Sequence, residues 1–224
     1  MQKINLILAL GDWNKEIFIK FKNKFINFKL ASSKDELNKI TKKYSINTIY
    51  IIHWNYKISN YFLNKYNCVS FHMTDLPYGR GGSPLQNLII RGHRSSILSA
   101  FITSSIMDGG DILIKKKFSL NGSAIDILKR VSNLAFKMIN ILETKKIIPI
   151  KQKGLITKFK RRNSQMSKIK PSYSIDKIYD FIRMLDAPIY QKAFIQNQNY
   201  IIEFSQVKKY KNQLSCKAII KKNV

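Results

Sequence analysis

The chain has 224 residues, 45% of them hydrophobic and 12% aromatic, which excludes a disordered segment and suffices for one medium core with at most a small appendage. Forty Lys and Arg against thirteen Asp and Glu give a formal net charge of +27. That balance suits a polyanion such as nucleic acid or an acidic membrane surface, although lysine spread among abundant Ile and Asn also fits an AT-rich coding sequence.

Cys68 and Cys216 have no CxxC spacing, which excludes a disulfide framework and a cysteine zinc box and points to a reducing cytoplasm. The amino-terminal apolar stretch, INLILAL, is too short for a signal sequence or a membrane span, so neither targeting nor membrane insertion is expected.

In chain order, INLILAL predicts a strand, NKEIFIKFKNKF a helix and FKLAS a short strand. KDELNKITKKY then predicts a helix, TIYIIHW a buried strand, ISNYFLNKY a helix and CVSFHM a strand that ends at His72. This alternation implies βαβ units and an α/β fold with a mostly parallel sheet and helices on both faces.

A loop, TDLPYGRGG, leads to a helix at PLQNLIIRG, with Ser83 as N-cap and Pro84 at its first position. ILSAFITS and GDILIKKKFSL predict two strands joined by the turn SIMDGG. SAIDILKRVSNLAFKMINIL predicts a long helix capped by Ser123, whose face Ile127, Val131, Leu134, Met138 and Leu142 packs on the sheet. An α/β domain over 1–150 is therefore expected.

Residues 151–224 form a basic linker and a small carboxy-terminal α+β appendage, with a helix at SIDKIYDFIRML and strands at KAFIQ, YIIEFSQ and QLSCKAII. The densest basic run, residues 151–170, contains no acidic residue and fits either a surface for a phosphate-bearing substrate or a solvated linker.

His72 stands at a strand end, where open α/β sheets bind ligands. The glycines after it let backbone approach a ligand closely. Asp108 and Asp111, in MDGGDI, can bring a carboxylate near His72 if their strands are neighbours, and a histidine with a carboxylate partner is minimal equipment for acid/base catalysis. Turn and capping roles for the aspartates are the competing reading. His53 and His93 match no motif.

The segments His72-Met73-Thr74-Asp75-Leu76-Pro77, Arg80-Gly81, Pro84 and Asp108-Gly109-Gly110-Asp111-Ile112 together resemble the formyltransferase family, whose aspartate also follows its histidine by about 36 residues. The resemblance implies a Rossmann-like formyltransferase fold and transfer of a formyl group from N10-formyltetrahydrofolate, as co-substrate, to a primary amine. It assigns His72 to polarising the formyl group and shuttling a proton, and Asp108 to orienting it. The family's asparagine, two positions before the histidine, falls on Ser70, a departure that replaces an amide donor with a hydroxyl.

The resemblance implies folate contacts at Trp54, Asn55, Tyr56, Gly82, Ser104, Ser105, Ile106, Met107 and Asp108; Trp54 and Tyr56 equally suit a buried strand end. Thr74, Asp75 and Arg80 are expected to contact substrate, and no metal is expected. The missing length relative to the tRNA-acting members favours a nucleotide-linked amino sugar as acceptor. Methionyl-tRNA, suited by the charge, is the alternative, as is a non-catalytic basic binding module on the same fold. A homodimer is left open.

Overall fold

The computed structural model describes residues 2–24 and 26–223, which contain the elements expected from the sequence in the expected order. The helix expected over 14–25 ends at Phe25, which lies outside the described residues. The chain divides into two compact units, the first made of Met1–Gly81, Ser96–Phe118 and Lys129–Lys158. The second comprises Gly82–Ser95, Ser119–Leu128 and Phe159–Val224.

The first unit is built on β1 (Lys3–Ala9), β2 (Phe28–Ala31), β3 (Ser45–Ile52), β4 (Asn67–His72), β6 (Ser95–Ile102) and β7 (Ile112–Ser119), joined as a six-stranded sheet in the order β2-β1-β3-β4-β6-β7. β1 pairs in parallel with β2 and β3, and β3 in parallel with β4, whereas β4 pairs antiparallel with β6, Ser70 opposite Phe101 and His72 opposite Ser99. Between β4 and β6 the chain passes through α4 (Pro84–Ile90). β5 (Arg80–Gly81) is a two-residue strand in the loop after β4.

One sheet face carries Leu6, Leu8, Ile49, Ile51 and Cys68, covered by α2 (Lys34–Lys43) and α3 (Asn60–Lys65) through Leu37, Ile40, Phe62 and Leu63. Burial there pushes the Cys68 thiol up to about 11, so this cysteine serves as a small apolar side chain. The other face meets α1 (Asp12–Phe21) and α5 (Ala124–Thr144). Phe18 and Phe21 lie against Phe136, and the Trp13 indole donates to Ser132 Oγ at 3.2 Å.

Near the end of α5, Glu143 accepts from the Tyr50 hydroxyl at 2.5 Å and from the Asn5 amide at 2.6 Å. Burial and that carboxylate hold the Tyr50 hydroxyl above the ordinary phenol range, so it stays a donor. A register shift between Ile4 and Leu6 in the β1–β3 ladder frees the Thr48 N–H, and the Asn5 side chain accepts it at 3.2 Å.

In the second unit β9 (Ala193–Gln196), β10 (Tyr200–Lys209) and β11 (Leu214–Lys222) form an antiparallel sheet in the order β11-β10-β9. α6 (Ile175–Arg183) is capped by Ser174, whose Oγ accepts from the Lys177 N–H. Arg183, 4% exposed, is fully engaged: its guanidinium donates to Asp180 and to the carbonyls of Leu120 and Gly122. β8 (Lys158–Phe159) completes the strands.

Two capping expectations resolve differently. Ser123 opens α5 as predicted, its hydroxyl and N–H both bonded to Asp126. Ser83, by contrast, precedes α4 with φ +52 and makes no side-chain cap; its Oγ accepts from the Arg162 N–H, a long-range partner no local pattern reveals.

α2 has a reciprocal cap: Ser33 Oγ accepts from the Glu36 N–H, and Glu36 accepts from the Ser32 N–H and hydroxyl. The Ser32 backbone bond, foremost, holds the Glu36 carboxyl below its usual range. A depressed carboxylate contributes stability that is complete above its unfolded-state pKa and is lost as pH falls through the folded-state value. Denaturant titrations of the wild type and Glu36→Gln should therefore differ most at neutral pH and converge under acid.

Candidate functional site

β4 delivers Ser70 and His72 to the same sheet face, because alternate residues of a strand project alike. His72 is 8% exposed, and its Nε2 lies 2.8 Å from the Gly79 carbonyl oxygen. A carbonyl only accepts, so the proton sits on Nε2 and the neutral ring offers its lone pair at Nδ1. Asp108 Oδ2 stands 3.7 Å from that Nδ1, too far for a direct hydrogen bond but within ion-pair reach. The arrangement is a proton acceptor with a negative charge beside the position the proton would occupy.

Asp108 reaches this point from the turn between β6 and β7, with a backbone φ of +51. Aspartate tolerates that conformation better than most residues, yet it still needs outside support. The Gly81 N–H donates to Asp108 Oδ2 at 2.8 Å, fixing the carboxylate. The Gln152 amide donates to the Asp108 and Gly110 carbonyls at 2.8 Å each, fixing the backbone, while its oxygen accepts from Arg80 Nε and Nη2 at 3.1 and 2.7 Å.

Gly110 has no room for a side chain, since a Cβ there would lie 1.7 Å from the Ile102 carbonyl oxygen. The sequence thus specifies the turn by its glycine and by tertiary hydrogen bonds.

Ser70 Oγ pairs with Thr103 Oγ1 at 2.8 Å, so its hydroxyl belongs to a two-hydroxyl unit. Trp54 packs at the margin of the cluster containing Ile51 and Cys68, on the face from which Ser70 and His72 project, and meets Tyr56 edge-on at 5.2 Å. Asn55 is exposed. Ser104, Ser105, Ile106 and Met107 form the outer part of the Asp108 turn; Ser104 Oγ donates to the Ile106 carbonyl, and the Ile106 and Met107 side chains are exposed. Tyr56, Ile106 and Met107 thus present exposed aromatic and apolar surface.

Other candidates are used by the protein itself. Thr74 is fully buried, with its hydroxyl 3.5 Å from the Gly79 carbonyl oxygen and its own carbonyl bonded to Ser99, which leaves it no surface for a substrate. Asp75 pairs with Lys115 at 2.5 Å, and Arg80 is engaged by Gln152. Gly82 belongs to the second unit, where a Cβ would lie 2.5 Å from Arg161 Cβ; that approach accounts for the glycine without a ligand.

Sequence reasoning missed Gln152, Thr103 and Gly79. Gln152 and Thr157 also change the reading of the basic run, because Thr157 Oγ1 accepts from the Gly79 N–H and its carbonyl from the Arg80 N–H. Residues 152–157 are therefore tied to the His72 loop and are not a free linker. Among the described residues no group of three or more His, Cys, Asp or Glu is placed to hold a metal ion, and no helix is long and apolar enough to cross a membrane.

Residues 164–221 match the family model described as the methionyl-tRNA formyltransferase carboxy-terminal domain. A solved methionyl-tRNA formyltransferase from Clostridium thermocellum superposes with a TM-score of 0.94 and 38% identity, covering 100% of both chains. The chain belongs to the formyltransferase family. A curated methionyl-tRNA formyltransferase of Rickettsia canadensis (strain McKiel) is 30% identical over 152 residues, 63% of this chain and 50% of that protein, so the chain spans about half the length of the curated relatives it matches. A 4-N formyltransferase from Francisella tularensis, with TM-score 0.63 and 18% identity over 88% of this chain and 93% of its own, shares the fold alone.

Within this formyltransferase-family site, Gly110→Ala forces a backbone clash that no rotamer relieves. We expect it to lower unfolding stability by about 3 kcal/mol, read by chemical denaturation.

Proposed function

We propose that this protein transfers the formyl group of N10-formyltetrahydrofolate, the family's formyl donor, to the amino group of methionyl-tRNA. The observation that carries this reading is the 38% identity across the whole Clostridium thermocellum chain. It replaces the nucleotide-linked amino sugar favoured by the sequence, which rested on missing length: the Clostridium protein named for methionyl-tRNA is matched over all of its chain. The match of 164–221 to a methionyl-tRNA enzyme model supports the same acceptor.

The folate, when bound, supplies an amide-like formyl carbon open to attack by the amine. His72 Nδ1 takes the proton the amine must lose as the new carbon–nitrogen bond forms, and Asp108 stabilises the imidazolium that results. The same proton then returns to the departing folate nitrogen as its bond to carbon breaks. The Ser70–Thr103 pair holds two hydroxyl protons and uses one between its oxygens, so the other remains to donate to the oxygen of the formyl group. Exposed Tyr56, Ile106 and Met107, beside a half-buried Trp54, fit the folate's flat ring system.

The second unit fits a phosphate backbone. Lys208, Lys211, Lys217 and Lys222 are exposed on or beside the β10–β11 hairpin. Phosphate contacts of this kind make binding fall steeply with salt.

In an assay with formyltetrahydrofolate and charged initiator tRNA, we expect formyl-methionyl-tRNA, with His72→Ala and Asp108→Ala each slowing turnover by about a hundredfold or more. Ser70→Asn should also slow it, because the larger amide displaces the hydroxyl pair. Formylation of an amino-sugar nucleotide while charged tRNA stays inert would return the acceptor to the sugar class, and full activity of His72→Ala would refute the catalytic assignment.

A further inference from the structure

We propose that Gln152 is a positioning residue that sets the Asp108 carboxylate against His72, an inference that deepens the formyl-transfer reading and rests on it. Asp108 makes its catalytic approach from a left-handed backbone, a conformation that residues with a side chain seldom adopt. The turn that carries it exposes Ile106 and Met107, so little packing holds it on that side. Besides the Gly81 N–H on its carboxylate, what holds it is one primary amide. The Gln152 nitrogen spends both of its protons on the carbonyls of Asp108 and Gly110, one on either side of Gly109.

The Gln152 oxygen closes the device from the other direction. It accepts both Nε and Nη2 of Arg80, whose Nη1 lies 3.3 Å from where a Gly109 side chain would begin. Arg80 precedes Gly81, whose N–H holds the carboxylate itself. The His72 loop, the Asp108 turn and the segment after α5 are thereby locked through a single side chain, and Arg80 is consumed in orienting that amide. Asparagine, one methylene shorter, could not reach both sides, and glutamate would set an oxygen against two carbonyl oxygens.

Two readings test this on the intact protein. In Gln152→Leu, kcat should fall about tenfold or more while KM for donor and acceptor stays within about twofold, and the same change in an Asp108→Ala background should have no further effect. An additive loss in the double variant would overturn the proposal, as a general structural role predicts additivity. Independently of activity, amide hydrogen exchange at Gly81 should speed up at least about tenfold in Gln152→Leu while the amides of Leu6 and Ile49 in the central strands keep their protection. Unchanged protection at Gly81 would overturn it as well. If Gln152→Leu does not fold, Gln152→Asn takes its place in both readings. Absence of turnover in the wild type would remove the formyl-transfer reading, and the Gly81 exchange would still decide the role of Gln152.

Discussion

The hydrogen bond from the Gly81 N–H to the Asp108 carboxylate joins two loops that leave different strands, and the candidate site depends on it. His72 is placed by its strand and needs little help. Asp108 lies in a turn that must double back from β6, so its charge is usefully placed only if the turn is held at several points. Gly110 provides the close approach to Ile102, Gln152 supplies the amide, and Thr157 secures the partner loop through Gly79 and Arg80. The glycine-rich motifs of the sequence and its inconspicuous residues thus serve a single distance, that between Nδ1 and Oδ2.

Most of the fold was legible because it follows from local periodicity: apolar alternation marked β1, β3 and β4, three- and four-residue spacing marked α5, and glycine and proline marked the loops. The position of His72 at a strand end was legible for the same reason. Gln152 and Thr103 were not, since an isolated glutamine among lysines and a threonine after a strand have no pattern of their own, and their partners are brought together only by the fold. Ser83 shows the converse error, a good local signal whose hydroxyl is claimed by Arg162 from far along the chain.

The acceptor proposed for this protein differs from the one that missing length favoured, because a solved chain named for methionyl-tRNA is matched over all of its extent. Net charge pointed the right way for the proposed acceptor, but lysine abundance could not separate function from coding bias. Its distribution is more informative: in the second unit Lys209 and Lys221 pair with Asp176 and Glu203, while other lysines of the β10–β11 hairpin stand exposed.

α5 is pinned to the sheet side at two places, by Ser132 to Trp13 and by Glu143 to Asn5 and Tyr50. These anchors are eleven residues apart, about three turns, so both face the same way. Inserting or deleting one residue between them would rotate one anchor by about 100° and leave a buried tyrosine and asparagine without their carboxylate. The helix therefore has a fixed phase as well as a fixed position, and descendants of this sequence can change length in the loops around α5 far more readily than within it.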